Sequence, residues 1–245
     1  REEEAAREAA EAARRAAEIA IKANEEAARA AKRAAEISIK ASEDAARAAE
    51  EAAKEAARSN DKNERAKKAA DEVKREAERL AKENRDIARR VEEEARRILD
   101  ESRRIAEEVK RRAEEILKLL RNGEPLEELA KRLIEILKRA LEEDHRLARR
   151  AIDILRRALE RNARLAREAI EILKKALEDA AREAQDEDAL RRAKKAIEDA
   201  IKVLKEALDK SAKAIEEAIR VAKEANERSA KAIKDAIEVA ERAAR

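Results

Sequence analysis

Cysteine, methionine, threonine and all three aromatic residue types are missing from this chain, and glycine, proline and histidine occur once each. Without cysteine there is no disulfide framework, no thiolate nucleophile and no thiolate-bound metal. One glycine cannot build a phosphate-cradling loop or a dinucleotide-binding turn. Without aromatics there is no platform on which bases or sugars can stack. Charge of one sign is lacking too: 62 basic residues are interleaved with 59 acidic ones, and no basic stripe for nucleic acid stands out. No apolar run approaches the ~20 residues that span a bilayer. Arg1-Glu2-Glu3-Glu4 opens on charge and leads into no apolar signal segment. The expectation is a soluble protein of open cellular location, with no cofactor, metal, nucleic acid, membrane or small-molecule partner evident.

What remains is 44% apolar and 49% charged, and nearly all of it favours helix. Three short interruptions predict four helices, at about 1–59, 62–121, 125–184 and 187–245. At Ser59–Glu64, Asn60 can end one helix, and Asp61 with Glu64 reads as a capping box for the next. In Asn122-Gly123-Glu124-Pro125, Gly123 suits a left-handed C-cap and Pro125 the first helical position. Asp186 in Gln185-Asp186-Glu187-Asp188 suits an N-cap. Loops this short predict antiparallel neighbours, and the lack of a linker predicts one domain over 1–245.

Each helix repeats with a period of 18 residues. Ala17-Glu18-Ile19-Ala20-Ile21-Lys22-Ala23 returns as Ala35-Glu36-Ile37-Ser38-Ile39-Lys40-Ala41. Val73, Val91 and Val109 mark the second helix, Ile152 and Ile170 the third, and Ile197, Ile215 and Ile233 the fourth. Eighteen residues make five turns of about 3.6, so an apolar stripe holds one side of a straight helix without supercoiling. Straight repeats of this kind, equal helices, minimal loops and a Glu/Lys/Arg/Ala surface resemble those of de novo designed parametric helical bundles. The resemblance covers the whole chain. It implies an all-α antiparallel four-helix bundle or array of ~60-residue untwisted helices. It further implies a scaffold, assembly module or binder, and not an enzyme.

Helix faces differ in width. Apolar residues cover about 120° of helix two, about 180° of helices three and four, and about 200° of helix one. Helix one holds 25 alanines and four isoleucines up to residue 59, with Ile19 and Ile37 at one margin and Ile21 and Ile39 at the other. An arc this wide needs partners on two sides. In a closed four-helix monomer part of it would face water, harmlessly for alanine but with no gain from isoleucine. The expectation is therefore a homo-oligomer joined through the alanine face and isoleucines of helix one, with helix four. A monomeric rigid scaffold is the alternative, and a lipid-surface protein or binder a further one.

Polar residues interrupt these arcs. On an up-down-up-down path, Asn24, Ser102, Asp144 and Ser229 share one height, and Ser42, Asn84, Asn162 and Ser211 a second. An unpaired buried polar group costs ~1–3 kcal/mol, so eight of them predict hydrogen-bonded layers that fix register and partner choice. Catalytic readings fare worse. Glu142 and His145 have the Glu-x-x-His step of di-iron bundles, but such sites need a second step and two more inward Glu. A Ser229/His145/Asp144 triad would need side chains that diverge by about 100° on one helix to cooperate, with no oxyanion hole. His145 is expected at the arc margin, in or beside the first polar layer.

Overall fold

A computed structural model describes residues 1–59, 64–182 and 187–245. The fold is all-α, with four long helices: α1 (Glu2–Ser59), α2 (Glu64–Arg121), α3 (Leu126–Arg182) and α4 (Glu187–Ala244). No strand occurs among the described residues. The expected caps at Asn60, Asp61 and Asp186 lie outside them.

The α2–α3 turn shows how local chemistry ends a helix. Gly123 has φ +92°, a left-handed conformation that costs glycine little. The Glu124 N–H donates to the Leu119 carbonyl and the Gly123 N–H to that of Leu120, both at 3.1 Å. This paired 6→1 and 5→2 pattern satisfies carbonyls the helix end would otherwise orphan. The Pro125 carbonyl then accepts the first bond of α3, from Leu129 at 3.2 Å. Proline thus occupies the cap itself, one residue before the expected first helical position, where its missing N–H costs nothing.

The chain divides into two compact units, and each helix contributes a stretch to both. The first comprises Arg1–Ala31, Glu92–Leu155 and Ala218–Arg245; the second comprises Lys32–Val91 and Arg156–Glu217. In the first unit, ion pairs run Arg14–Glu114, Glu18–Lys110 and Glu25–Arg103. The numbers rise on α1 as they fall on α2, so these stretches are antiparallel. In the second unit Glu43 of α1 meets Arg85 of α2 at 3.4 Å.

The core of the first unit sets small residues against large ones. Ala9, Ala13 and Ala16 of α1 pack in one cluster with Leu129, Leu133 and Leu137 of α3, and with Val109 and Ile233. Alanine lets helix axes approach to the short end of the ~8–10 Å range, and each buried leucine contributes ~1.5–3 kcal/mol. In the second unit Ala34, Ala35 and Ala45 are buried on α1, as are Leu80, Leu165, Leu173 and Leu204 on the other helices.

One expectation changes here. None of the α1 alanines whose side chains are described is exposed, and most are buried. The alanine part of the arc is covered by the chain's own helices, while Ile19 and Ile37 at one margin stay exposed. The reason is geometric: residues about 200° around one helix can be shared among several neighbours, and arc width alone does not say whose they are.

Candidate functional site

Two groups of buried polar side chains stand out, one within each unit. In the first, Asn24 comes from α1, Ser102 from α2, Asp144 from α3 and Ser229 from α4. Asn24 is half-buried and the other three are buried. The Asn24 amide donates to the Ser102 hydroxyl at 2.5 Å and to Asp144 Oδ1 at 3.2 Å. One amide thereby ties three helices together, which is what a side chain with two N–H donors can do. The second oxygen of Asp144 is buried without a partner, and so is the Ser229 hydroxyl.

Burial pushes the Asp144 carboxyl above its ordinary value, because an ionised carboxylate loses its water. The Ser229 hydroxyl, the Asn24 amide and the His145 ring oppose that shift. His145 is half-buried and acts on Asp144 through charge. A cavity of about 20 Å³ opens beside Asp144, lined also by Ser102, Ala16, Ala106, Ala140 and Ile233.

In the second unit the Asn162 amide donates to the Ser211 hydroxyl at 2.6 Å, and Ser211 pairs with Ser38 at 2.6 Å. Two expected members behave otherwise. Ser42 is buried but donates to the Ile39 carbonyl of its own helix at 2.9 Å. A serine in mid-helix readily makes such a local bond. Asn84 is buried on α2 and takes no part in the Ser38–Ser211–Asn162 chain. Ser38, which sequence reasoning left out of the layers, fills the α1 place in this cluster. The signal was in the repeat, where Ser38 replaces Ala20. Asn226 on α4 was also missed. Its amide oxygen is buried without a partner, and it stands where Leu190 and Leu208 stand in earlier repeats.

The isoleucines of α1 separate. Ile19 and Ile37 are 43% and 42% exposed, whereas Ile21 and Ile39 are half-buried, Ile21 against the core of the first unit. Around them the surface is laced with ion pairs. Arg228 of α4 donates to Glu26 of α1 at 2.6 Å and holds that carboxyl below its usual range. Arg29 and Glu25 pair at 3.8 Å along one helix, while Glu18 reaches across to Lys110.

Chemistry is sparse at these places. Among the described residues no three His, Asp or Glu side chains gather as metal ligands, and Glu142 is exposed while His145 is half-buried. Ser229 has no exposed surface at all, so it offers no nucleophile to a substrate from solution. No helix among the described residues is long and apolar enough to cross a membrane. No protein-family model, curated protein or solved structure matches this chain.

Proposed function

We propose that this chain is a rigid, non-catalytic helical scaffold of designed origin, complete as a monomer, with its buried polar clusters serving to fix helix register. The observation that carries this reading is the coverage of the α1 alanine arc by the chain's own helices in both units. A face already covered leaves little for a second copy to bury. The 18-residue repeat and the resemblance to designed bundles support the origin. The polar clusters support a register role because a slip along any helix would strand Asn24 or Asn162 without partners.

Homo-oligomerisation through α1 is the second reading, and Ile19 and Ile37 favour it. They are the large apolar residues most exposed among those described, and each lies one repeat from the other. Two side chains fall well short of the ~800 Å² per partner that a stable interface buries, so the monomer is preferred. Light scattering on the eluted protein decides between the two. The scaffold reading expects 27.6 kDa at micromolar concentration. A multiple of that mass, returning to 27.6 kDa in an Ile19→Glu, Ile37→Glu variant that keeps its helicity, establishes the oligomer instead.

A further inference from the structure

We infer that His145 and Asn226 form a hydrogen-bonded pair across the α3–α4 contact of the first unit, a key that sets this contact apart from its repeat copy. The inference deepens the register role proposed above and rests on it. It starts from an unmet need: the Asn226 amide oxygen is sealed from solvent and has no partner. Water does not reach such an atom, so a neighbouring side chain must satisfy it, and leaving it stranded is costly.

Position brings His145 to it. Asp144 of α3 and Ser229 of α4 stand level, since the Ser229 hydroxyl acts on the Asp144 carboxyl. Ala140 and Ile233, four residues before the one and four after the other, line one cavity with Asp144, so the two stretches are antiparallel. His145 is one residue past Asp144 and Asn226 three before Ser229. That leaves them about two residues, ~3 Å, apart in height. Their directions converge as well. On α3, Arg150 lies about 120° to one side of Asp144 and pairs with Glu94 of α2, and His145 lies about 100° to the other side. On α4, Arg228 lies about 100° to one side of Ser229 and pairs with Glu26 of α1, and Asn226 lies about 60° to the other. Both residues are half-buried. Leu141, Ala148 and Ile219 around them offer no side-chain hydrogen bond, and the flanking cations Arg149 and Lys223 are exposed.

The repeat supplies an independent argument. In the second unit Asn162 of α3 meets Ser211 of α4 at 2.6 Å. The residue past Asn162 is Ala163, and the one three before Ser211 is Leu208. The same two places thus hold a small and a large apolar residue in one unit, and an imidazole and an amide in the other. Both depart from the repeat together, as partners would, and the imidazole brings the N–H that the Asn226 oxygen lacks.

His145 is the only histidine in the chain, so its ring gives the only imidazole signals. Nitrogen-15 NMR of the full chain at pH 8 is expected to show one tautomer, its ring N–H slow to exchange and close to the Asn226 amide. Asn226→Leu should return the ring to mixed tautomers, and Asn226→Asp, which keeps an acceptor, should hold the single one. Averaged tautomers in the parent, or a tautomer unmoved by Asn226→Leu, overturn the pair; if Asn226→Leu fails to fold, the parent spectrum decides alone. Urea midpoints give a second readout. Asn226→Leu should lower the midpoint when His145 is present and raise it in a His145→Ala background, which restores the pairing of Ala163 and Leu208. The same shift in both backgrounds refutes the proposal, because an unpaired amide is indifferent to His145. Neither measurement reads the mass of the protein, so failure of the monomeric reading stays separate from failure of this one.

Discussion

Asp144 is the one carboxyl among the buried polar side chains described. It is a buried carboxyl in the middle of an alanine and leucine core, held by one amide and opposed by burial. Its folded value lies above its unfolded one. Between the two, the native state keeps a proton that the unfolded state has lost, so stability falls as pH rises through that window. The cost is absent below the unfolded carboxyl's range and complete above the folded value. Asp144→Asn should therefore raise stability at pH 7 by about 1–3 kcal/mol, with the gain vanishing at acid pH, as read by urea titration. An effect that is constant with pH would mean the carboxyl does not titrate differently on folding. The other cluster makes a sharper contrast between two serines. Ser211→Ala strands both Asn162 and Ser38 and should cost about 1–3 kcal/mol. Ser42→Ala removes only a bond to its own helix and should stay within about 0.5 kcal/mol of the parent.

Single helices were largely legible from sequence, because the signals that start, stop and orient them are local. The Gly123 turn follows from one residue that tolerates positive φ and one that lacks an N–H. Gly123→Ala should cost about 1 kcal/mol, all of it backbone strain, since nothing lies within 4 Å of the added methyl. A thermal melt measures it, and a neutral result would mean the turn can relax to another geometry. The polar clusters were legible in part. Heights along antiparallel helices bring Asn24, Ser102, Asp144 and Ser229 together, and that needs only counting. Which serine faces a neighbour and which folds back on its own carbonyl depends on side-chain rotation, and Ser38 and Ser42 exchange roles for that reason. Arc width, in turn, told how much of α1 must be covered but not by which helix, so the alanine face could be assigned to a second copy as readily as to the chain's own helices.

At the scale of the whole molecule, function rests on what the surface leaves unsatisfied. Half the residues are charged, nearly balanced in sign, and many form pairs within or between helices. Exposed pairs of this kind contribute about 0–1 kcal/mol each. We propose that the chain, covering its own alanine face, needs no partner. The absence of cysteine makes a direct measurement possible: the thiol-labelling rates of Ala34→Cys and Ile37→Cys in the full chain, three residues apart on α1. Ala34 is 1% exposed and Ile37 42%. For a monomer, Ile37→Cys reacts as an exposed thiol at every protein concentration, while Ala34→Cys is protected by about a hundredfold or more. Equal reactivity at the two positions, or protection of Ile37→Cys that grows with protein concentration, would contradict it.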